Sequence, residues 1–188
     1  MSTDNLTVVR SFLEPVDVTG RTVIGLAVPY NRPTEVSDNG RTHYLESWAP
    51  GVFAKTIAQR GPRAVKATMT SQHERTRLPI GAASQLTETP DGLMAELQIS
   101  RTRDGDEALE LIKDGVIDGM SIEASALRSR PDYLDGKRVT TRTEAKLNVI
   151  SMVPFPAFAE ARIHAVRSAT TPQLSVARAR LAVALARS

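Results

Sequence analysis

The chain of 188 residues contains no cysteine, balances 24 Lys and Arg against 21 Asp and Glu, and carries a formal net charge of +3. The missing cysteines exclude disulfides, thiolate catalysis and cysteine-ligated zinc, and the weak net charge argues against a nucleic-acid binder, which needs a concentrated basic face. Neither an apolar run of the roughly 20 residues that cross a bilayer nor a secretion signal is visible, so the composition predicts a soluble intracellular protein without a membrane partner.

Three segments differ in composition along the chain. Residues 1–20 are polar around one short apolar patch, which predicts an N-terminal extension or an edge strand. Residues 21–167 mix strand and helix signals, which predicts one domain. Residues 168–188 contain a Thr-Thr-Pro break followed by Ala, Arg and Leu, which predicts a linker and a C-terminal helix over 175–187.

Strand signals dominate the first half of the domain. The predicted elements are strands at 23–28, 65–70, 83–88 and 93–99, a loop at 31–41 and a short helix at 48–61. Pro50 suits the first turn of that helix, and Phe53 and Ile57 share one face. The strand at 93–99 alternates apolar and polar residues, the pattern of a half-buried strand.

The second half continues the same mixture. The predicted elements are a helix that opens at Asp104 and is closed by Gly115, a strand at 116–127, a hairpin-like loop at 129–138, and one or two strands at 139–143 and 146–153. Pro154 and Pro156 should end the last strand, because proline cannot donate to a ladder. Many strands with two short helices predict an α+β domain built on a compact, mainly antiparallel sheet or small barrel.

Acyl-transfer chemistry needs a nucleophile and a base to take its proton. Without cysteine the nucleophile must be Ser or Thr, and the base must come from three histidines, His43, His73 and His164. His73 follows a predicted strand, where its ring could point into a groove. Ser121 stands in Asp-Gly-Met-Ser after a helix and a glycine turn, and the neighbouring glycine would let the backbone approach a substrate. Each signal alone is weak, because most such residues are ordinary turn or buried polar residues.

Five short blocks strengthen this assignment because they stand in a fixed order. They are 46–53 (Glu-Ser-Trp-Ala-Pro-Gly-Val-Phe), 72–74 (Gln-His-Glu) with 79–81 (Pro-Ile-Gly), 91–93 (Asp-Gly-Leu), 107–121 (ending Asp-Gly-Met-Ser), and 144–157 (ending Val-Pro-Phe-Pro-Ala). In this order the blocks resemble those of the tailed-bacteriophage prohead serine protease family, whose fold is like that of herpesvirus assemblin.

The resemblance implies a function and two site residues. Ser121 would be the nucleophile and His73 its base, in a compact antiparallel barrel with flanking helices. The substrates would be the major capsid protein and its scaffold segment, cut inside the procapsid in the host cytoplasm, often together with self-cleavage. No cofactor and no metal is implied, and self-association stays open. A non-enzymatic assembly protein on a related tube-forming fold is the alternative function, and an unrelated small binding domain ranks last.

The identity of a third catalytic residue is left open by two departures from the family pattern. Val149 stands where the family usually has a glutamate, and Glu123 stands where it usually has glycine. Glu144, in the adjoining predicted strand, is the predicted third member, with Glu123 and Glu74 as rivals. Each of the three carboxylates could instead be a solvated surface group. The oxyanion donor would be a backbone amide near Ser121 or a guanidinium such as that of Arg162.

Overall fold

The computed structural model describes residues 20–37, 43–69 and 78–167. Its strands are β1 (Thr22–Pro29), β2 (Thr34–Ser37), β3 (His43–Trp48), β4 (Lys66–Met69), β5 (Gly81–Glu88), β6 (Gly92–Ile99), β7 (Gly119–Leu134), β8 (Lys137–Val153) and β9 (Ile163–Arg167), and its helices are α1 (Ala54–Arg60) and α2 (Arg103–Lys113). The predicted N-terminal edge strand and C-terminal helix lie outside the described residues.

The long strand β8 organises the sheet. Along one edge it pairs antiparallel with β7. Along the other edge it pairs parallel with β3 over residues 139–142 and with β4 over residues 149–152. Helix α1 lies between these two partners, where the Thr56 hydroxyl donates to the Ala145 carbonyl (2.9 Å) and Arg60 donates to the Leu147 carbonyl (3.1 Å). The carbonyls of Ala145 and Leu147, which lie between the two parallel pairings, are thereby bonded to side chains of the helix, and the Ala145 amide donates to the Val52 carbonyl just before it (2.9 Å).

The remaining strands extend this sheet in the order β2-β3-β8-β4-β5-β6-β1-β9, with β7 on the far edge of β8. The pairings from β4 through β5, β6 and β1 to β9 are antiparallel, as predicted. Of the predicted sheet or small barrel, the described residues form a sheet, which is mixed and is not closed into a barrel. The connection through α1 returns the chain in its original direction, so β3 and β4 both lie parallel to β8. An assemblin-like architecture stays a prediction.

Strand β6 is buried on both faces, and not half-buried as its alternation predicts. Leu93, Leu97 and Ile99 belong to the main core with Phe53, Met120, Ile150 and Met152. On the opposite face Met94 packs with Ile24 and Leu26 of β1 in a second, smaller cluster. The period-two pattern correctly indicated a strand, but it could not show that a second layer of side chains covers the other face.

The predicted helix at 48–61 and loop at 31–41 are each partly wrong. Trp48 ends β3, and the helix begins only at Ala54, after a turn in which Gly51 takes a left-handed φ of +78°. The loop contains the short strand β2, which pairs antiparallel with β3. Strand β9, which sequence analysis did not predict, pairs with β1.

Residues 129–138, predicted as a loop, form most of a two-stranded arm. Strand β7 runs to Leu134 and β8 starts at Lys137, so the turn is only Asp135 and Gly136. Both turn residues have positive φ (49° and 75°), as a type I′ hairpin turn requires. Tyr133 on this arm is 71% exposed. An exposed, polar strand lacks the apolar alternation by which strands are recognised in a sequence.

A buried hydrogen-bonded cluster ties β1, β5 and the turn before α1 together. The Tyr30 hydroxyl donates to Glu88 Oε2 (2.6 Å), and the Gly51 amide donates to the same oxygen (3.1 Å). Burial, the hydrogen bond and the charge of Glu88 together raise the pKa of Tyr30 well above its ordinary value, so the phenol stays a donor. The cluster positions the turn that leads into α1.

Replacing Tyr30 by phenylalanine should therefore destabilise the fold. The variant leaves Glu88 with one donor fewer, and hydrogen bonds to charged groups contribute about 1.5–3 kcal/mol to the free energy of unfolding. The measurement is the urea unfolding midpoint, with Tyr133→Phe as the matched control because Tyr133 is largely exposed. Equal midpoints for the two variants would show that the cluster does not stabilise the fold.

Candidate active site

Ser121 lies near the start of β7, on the strand face opposite the core. Met120 before it is fully buried in the core, and Ile122 after it packs against the same core. Side chains alternate between the two faces of a strand, so Ser121 and Glu123 share the face away from the core. Ser121 is half-buried there.

Two more hydroxyl side chains stand in line with Ser121. The register pairs Ser121 of β7 with Ser151 of β8, and Ser151 in turn with Thr68 of β4. The Thr68 and Ser151 hydroxyl oxygens are hydrogen-bonded at 2.8 Å, and Ser151 is fully buried. We call this line of three residues the hydroxyl row. Sequence analysis missed Ser151 and Thr68, because only the pairing register places them beside Ser121.

A second row lies one step further along the same face. Glu123 of β7 pairs with Val149 of β8, and Val149 pairs with Lys66 of β4. Glu123 is therefore the direct cross-strand neighbour of the position where the resemblance expects a glutamate. Directly opposed residues have Cβ atoms about 5 Å apart, so a carboxylate at either position reaches the same region of this face.

Gly119 lies on the other side of the hydroxyl row, and its missing side chain has a packing reason. A Cβ there would come within 2.7 Å of Pro156 Cδ and 2.9 Å of the Val153 carbonyl oxygen. Glycine at this position lets Pro156 lie against the strand. Sequence analysis expected this glycine to let a substrate come close to the backbone. The structure gives a packing reason for it, the contact with Pro156.

The guanidinium of Arg162, considered above as an oxyanion donor, forms hydrogen bonds within the protein. Its Nη1 donates to Asp118 Oδ1 (2.7 Å) and its Nε donates to the Ala159 carbonyl (2.8 Å). In addition, the Met120 amide donates to the Ala161 carbonyl (2.8 Å). These bonds fasten the segment before β9 to the beginning of β7.

His73 and Glu74 lie outside the described residues, so their distances to Ser121 stay undetermined. The last described element before them in the sequence is strand β4. Strand β4 ends at Met69, which pairs with Met152, and Met152 pairs with Met120. The last described residue before them therefore lies two strands away from Ser121, at the level of Met120.

Glu144, the predicted third member, lies elsewhere on β8. It precedes Ser151 by seven residues, which corresponds to roughly 20 Å of extended strand. Lys55 Nζ lies 2.8 Å from Glu144 Oε1, and Arg128 Nε lies 3.3 Å from its Oε2. The hydrogen bond from Lys55 and the charges of both cations lower the pKa of this carboxyl. The structure does not bring Glu144 together with Ser121.

The other two histidines differ in environment. His43 is exposed and lies 3.5 Å from Glu35. His164 lies on β9, and its Nε2 is buried with no hydrogen-bond partner among the described residues. Burial lowers the pKa of His164, so the folded protein keeps this ring neutral.

Acidification should for this reason destabilise the protein through His164. The pKa of His164 is lower in the folded protein than its ordinary value of about 6.5, so the unfolded chain binds a proton on this ring more readily. The contribution of the neutral ring to the free energy of unfolding is therefore complete above about pH 6.5 and decreases as the pH falls below that value. The urea midpoint of the wild type should fall between pH 7.5 and 5.0 by more than that of His164→Leu. His43→Leu is the control, and an identical pH response of all three proteins would contradict the prediction.

Neither a metal nor a membrane site emerges within the ranges that the structure describes. No group of three or more His, Asp or Glu side chains there could hold a metal ion. No helix in those ranges is long and apolar enough to span a bilayer.

A family model described as caudovirus prohead serine protease matches residues 12–174, most of the chain. No curated protein matches. Among solved structures, the chain is similar to the bacteriophage T4 capsid assembly protease, gp21, with a TM-score of 0.44 and 11% identity over 71% of this chain and 97% of that one. A likeness at that score indicates neither a shared site nor shared chemistry.

Proposed function

The chain belongs to the caudovirus prohead serine protease family, whose members are capsid-maturation proteases, and on this premise we propose that Ser121 is the nucleophile with which it cuts capsid and scaffold protein. The observation that carries the proposal is the position of Ser121 on the sheet. Its side chain lies on the face away from the core, half-buried, near the level at which β4 ends at Met69, four residues before His73 in the sequence. Pairing with β8 therefore fixes the backbone of Ser121, while its half-buried side chain remains accessible to a peptide.

His73 is the proposed base, and chain geometry allows it to act. His73 follows Met69 by four residues, which span at most about 14 Å when extended. The distance from β4 across β8 to β7 is two strand spacings, about 10 Å. His73 takes the Ser121 proton as Oγ attacks the peptide carbonyl carbon, then gives that proton to the departing amine. Water then hydrolyses the acyl-enzyme.

Glu123 is the proposed third member, in preference to Glu144. Both Glu123 and the position of Val149 lie one step from the hydroxyl row on the Ser121 face. A glutamate on β7 can therefore take the place of one on β8 while it reaches the same region. Its role would be to orient the imidazole and to stabilise the imidazolium that forms. Glu144 instead binds Lys55 and Arg128, seven residues before Ser151 along β8.

Reaction with a fluorophosphonate tests the nucleophile directly. This reagent phosphonylates an activated serine, so the purified protein should gain one adduct, which tandem mass spectrometry should map to Ser121. The capsid protein co-expressed with the same chain should become shorter by intact mass. An adduct on a different serine would overturn the assignment. A protein that neither reacts nor shortens any partner would favour the non-enzymatic assembly role.

A further inference from the structure

An exposed aromatic side chain lies in the segment that follows β8. Phe155 is 89% exposed, although the residues that end β8 are buried. It stands between Pro154 and Pro156, each of which has a fixed φ and no amide donor. We call residues 154–157 the proline strap. An isolated exposed Phe needs no explanation, so its significance depends on its position relative to the nucleophile.

The strap lies on the same sheet face as Ser121. A Cβ on Gly119 would point toward the Pro156 ring, 2.7 Å from Cδ. Gly119 and Ser121 are two residues apart on a regular part of β7, so their side-chain directions agree. The Pro156 ring therefore covers the position one step before the hydroxyl row, about 7 Å along the strand. Phe155 is the residue next to this ring.

The strap is held at both ends. Before it, Val153 pairs with Gly119 at the end of β8. After it, Arg162 donates to the Ala159 carbonyl and to Asp118, which directly precedes β7. An aromatic side chain on a segment fixed in this way needs little ordering when a ligand covers it.

The two sides of the hydroxyl row differ in polarity. On one side lies Pro156 of the strap, and Phe155 is the exposed residue next to it. On the other side lies the row that contains Glu123 and Lys66, of which Lys66 is exposed. A peptide lying across Ser121 would thus meet an apolar surface on one side of its scissile bond and charged groups on the other.

We propose that Phe155 is a specificity-determining residue, which contacts an apolar side chain of the substrate peptide within two residues of the scissile bond. This inference rests on the proposed function, because it takes Ser121 as the nucleophile. The occupant is an extended peptide with Leu, Ile, Val, Met or Phe at that position. Burial of such a side chain against the Phe155 ring removes apolar surface of both from water.

The test is a profile of cleavage sites in a peptide library prepared by digestion of a bacterial proteome, read by mass spectrometry. The wild type should cut next to apolar residues at one fixed position. Phe155→Ala should lose this preference, and its kcat/KM on the best wild-type peptide should fall about tenfold, since that is the usual effect of removing a large apolar contact. Most of the loss should appear in KM. Phe155→Leu should recover part of it.

Tyr133→Ala is the matched control, because it removes another exposed aromatic ring from the distant arm. It should keep the wild-type profile. The fluorophosphonate should label Ser121 at the same rate in all variants, because this small reagent makes no peptide contacts. A wild type without apolar preference, or the same preference in Phe155→Ala, would overturn the inference. A wild type that is not labelled and cuts nothing would instead overturn the proposed function, and the inference with it.

Discussion

Replacement of Ser121 by alanine is expected to abolish peptide cleavage, with a loss in kcat of about 10⁴-fold or more. The variant lacks the only atom that can form the acyl-enzyme in the proposed mechanism. His73→Ala should cause a loss of similar size, and the double variant should be no worse than either single one, since residues that act as a unit are not additive. The measurement is the rate at which the co-expressed capsid protein is shortened, followed by intact mass.

The matched control for this experiment is Ser125→Ala. Ser125 lies on the same strand but is exposed, and its hydroxyl accepts a hydrogen bond from Asn148 (3.2 Å). This variant should cut the capsid protein at the wild-type rate and fold normally by circular dichroism. Persistent cleavage by Ser121→Ala would show that the nucleophile is another residue.

Replacement of Glu123 by glutamine is expected to lower kcat by about 10²–10⁴-fold with little change in KM. Glutamine keeps the size of the side chain but removes the charge that would stabilise the imidazolium in the transition state. Glu144→Gln is the matched control, because it makes the same change on the neighbouring strand, where the carboxylate binds Lys55 and Arg128. It should leave kcat unchanged.

A second variant separates a catalytic role of Glu123 from a structural one. In Glu123→Gln combined with Val149→Glu, a carboxylate returns to the directly opposed position. Recovery of part of the kcat would show that the region needs a charge that either strand can supply. The reverse outcome, a large loss in Glu144→Gln and none in Glu123→Gln, would restore Glu144 as the third member despite its distance along β8.

Sequence patterns alone predicted the elements whose signals are local. Helix α2 was predicted to open at Asp104 and to be closed by Gly115: it begins at Arg103, capped by the Thr102 side chain, which accepts from the Gly105 amide, and Gly115 follows it with a left-handed φ of 71°. The strand character of β6 and the end of β8 before Pro154 were also predicted correctly. Caps, alternation and proline act within a few residues, so they can be recognised without a partner.

Elements that depend on a partner were not predicted. The exposed arm carries no apolar alternation, and the short strands β2 and β9 depend on hydrogen bonds to β3 and β1. The parallel attachment of β3 and β4 to one edge of β8 is likewise a pairing between distant parts of the chain. No local preference encodes such a pairing, and for this reason sequence analysis could not choose between a sheet and a barrel or predict the parallel pairs.

The same distinction between local and long-range information holds for the candidate site. The amino-acid types limit which residues could do the proposed chemistry: without cysteine, an acyl-enzyme needs Ser or Thr, and the ordered blocks predict Ser121 and His73. The neighbours of Ser121 follow only from the folded chain. The register of β7 on β8 puts Ser151 in its row, makes Glu123 the neighbour of Val149, and separates Glu144 from both. A shift of one residue would move every side chain of β7 to the other face, so the composition of this site is a property of strand pairing.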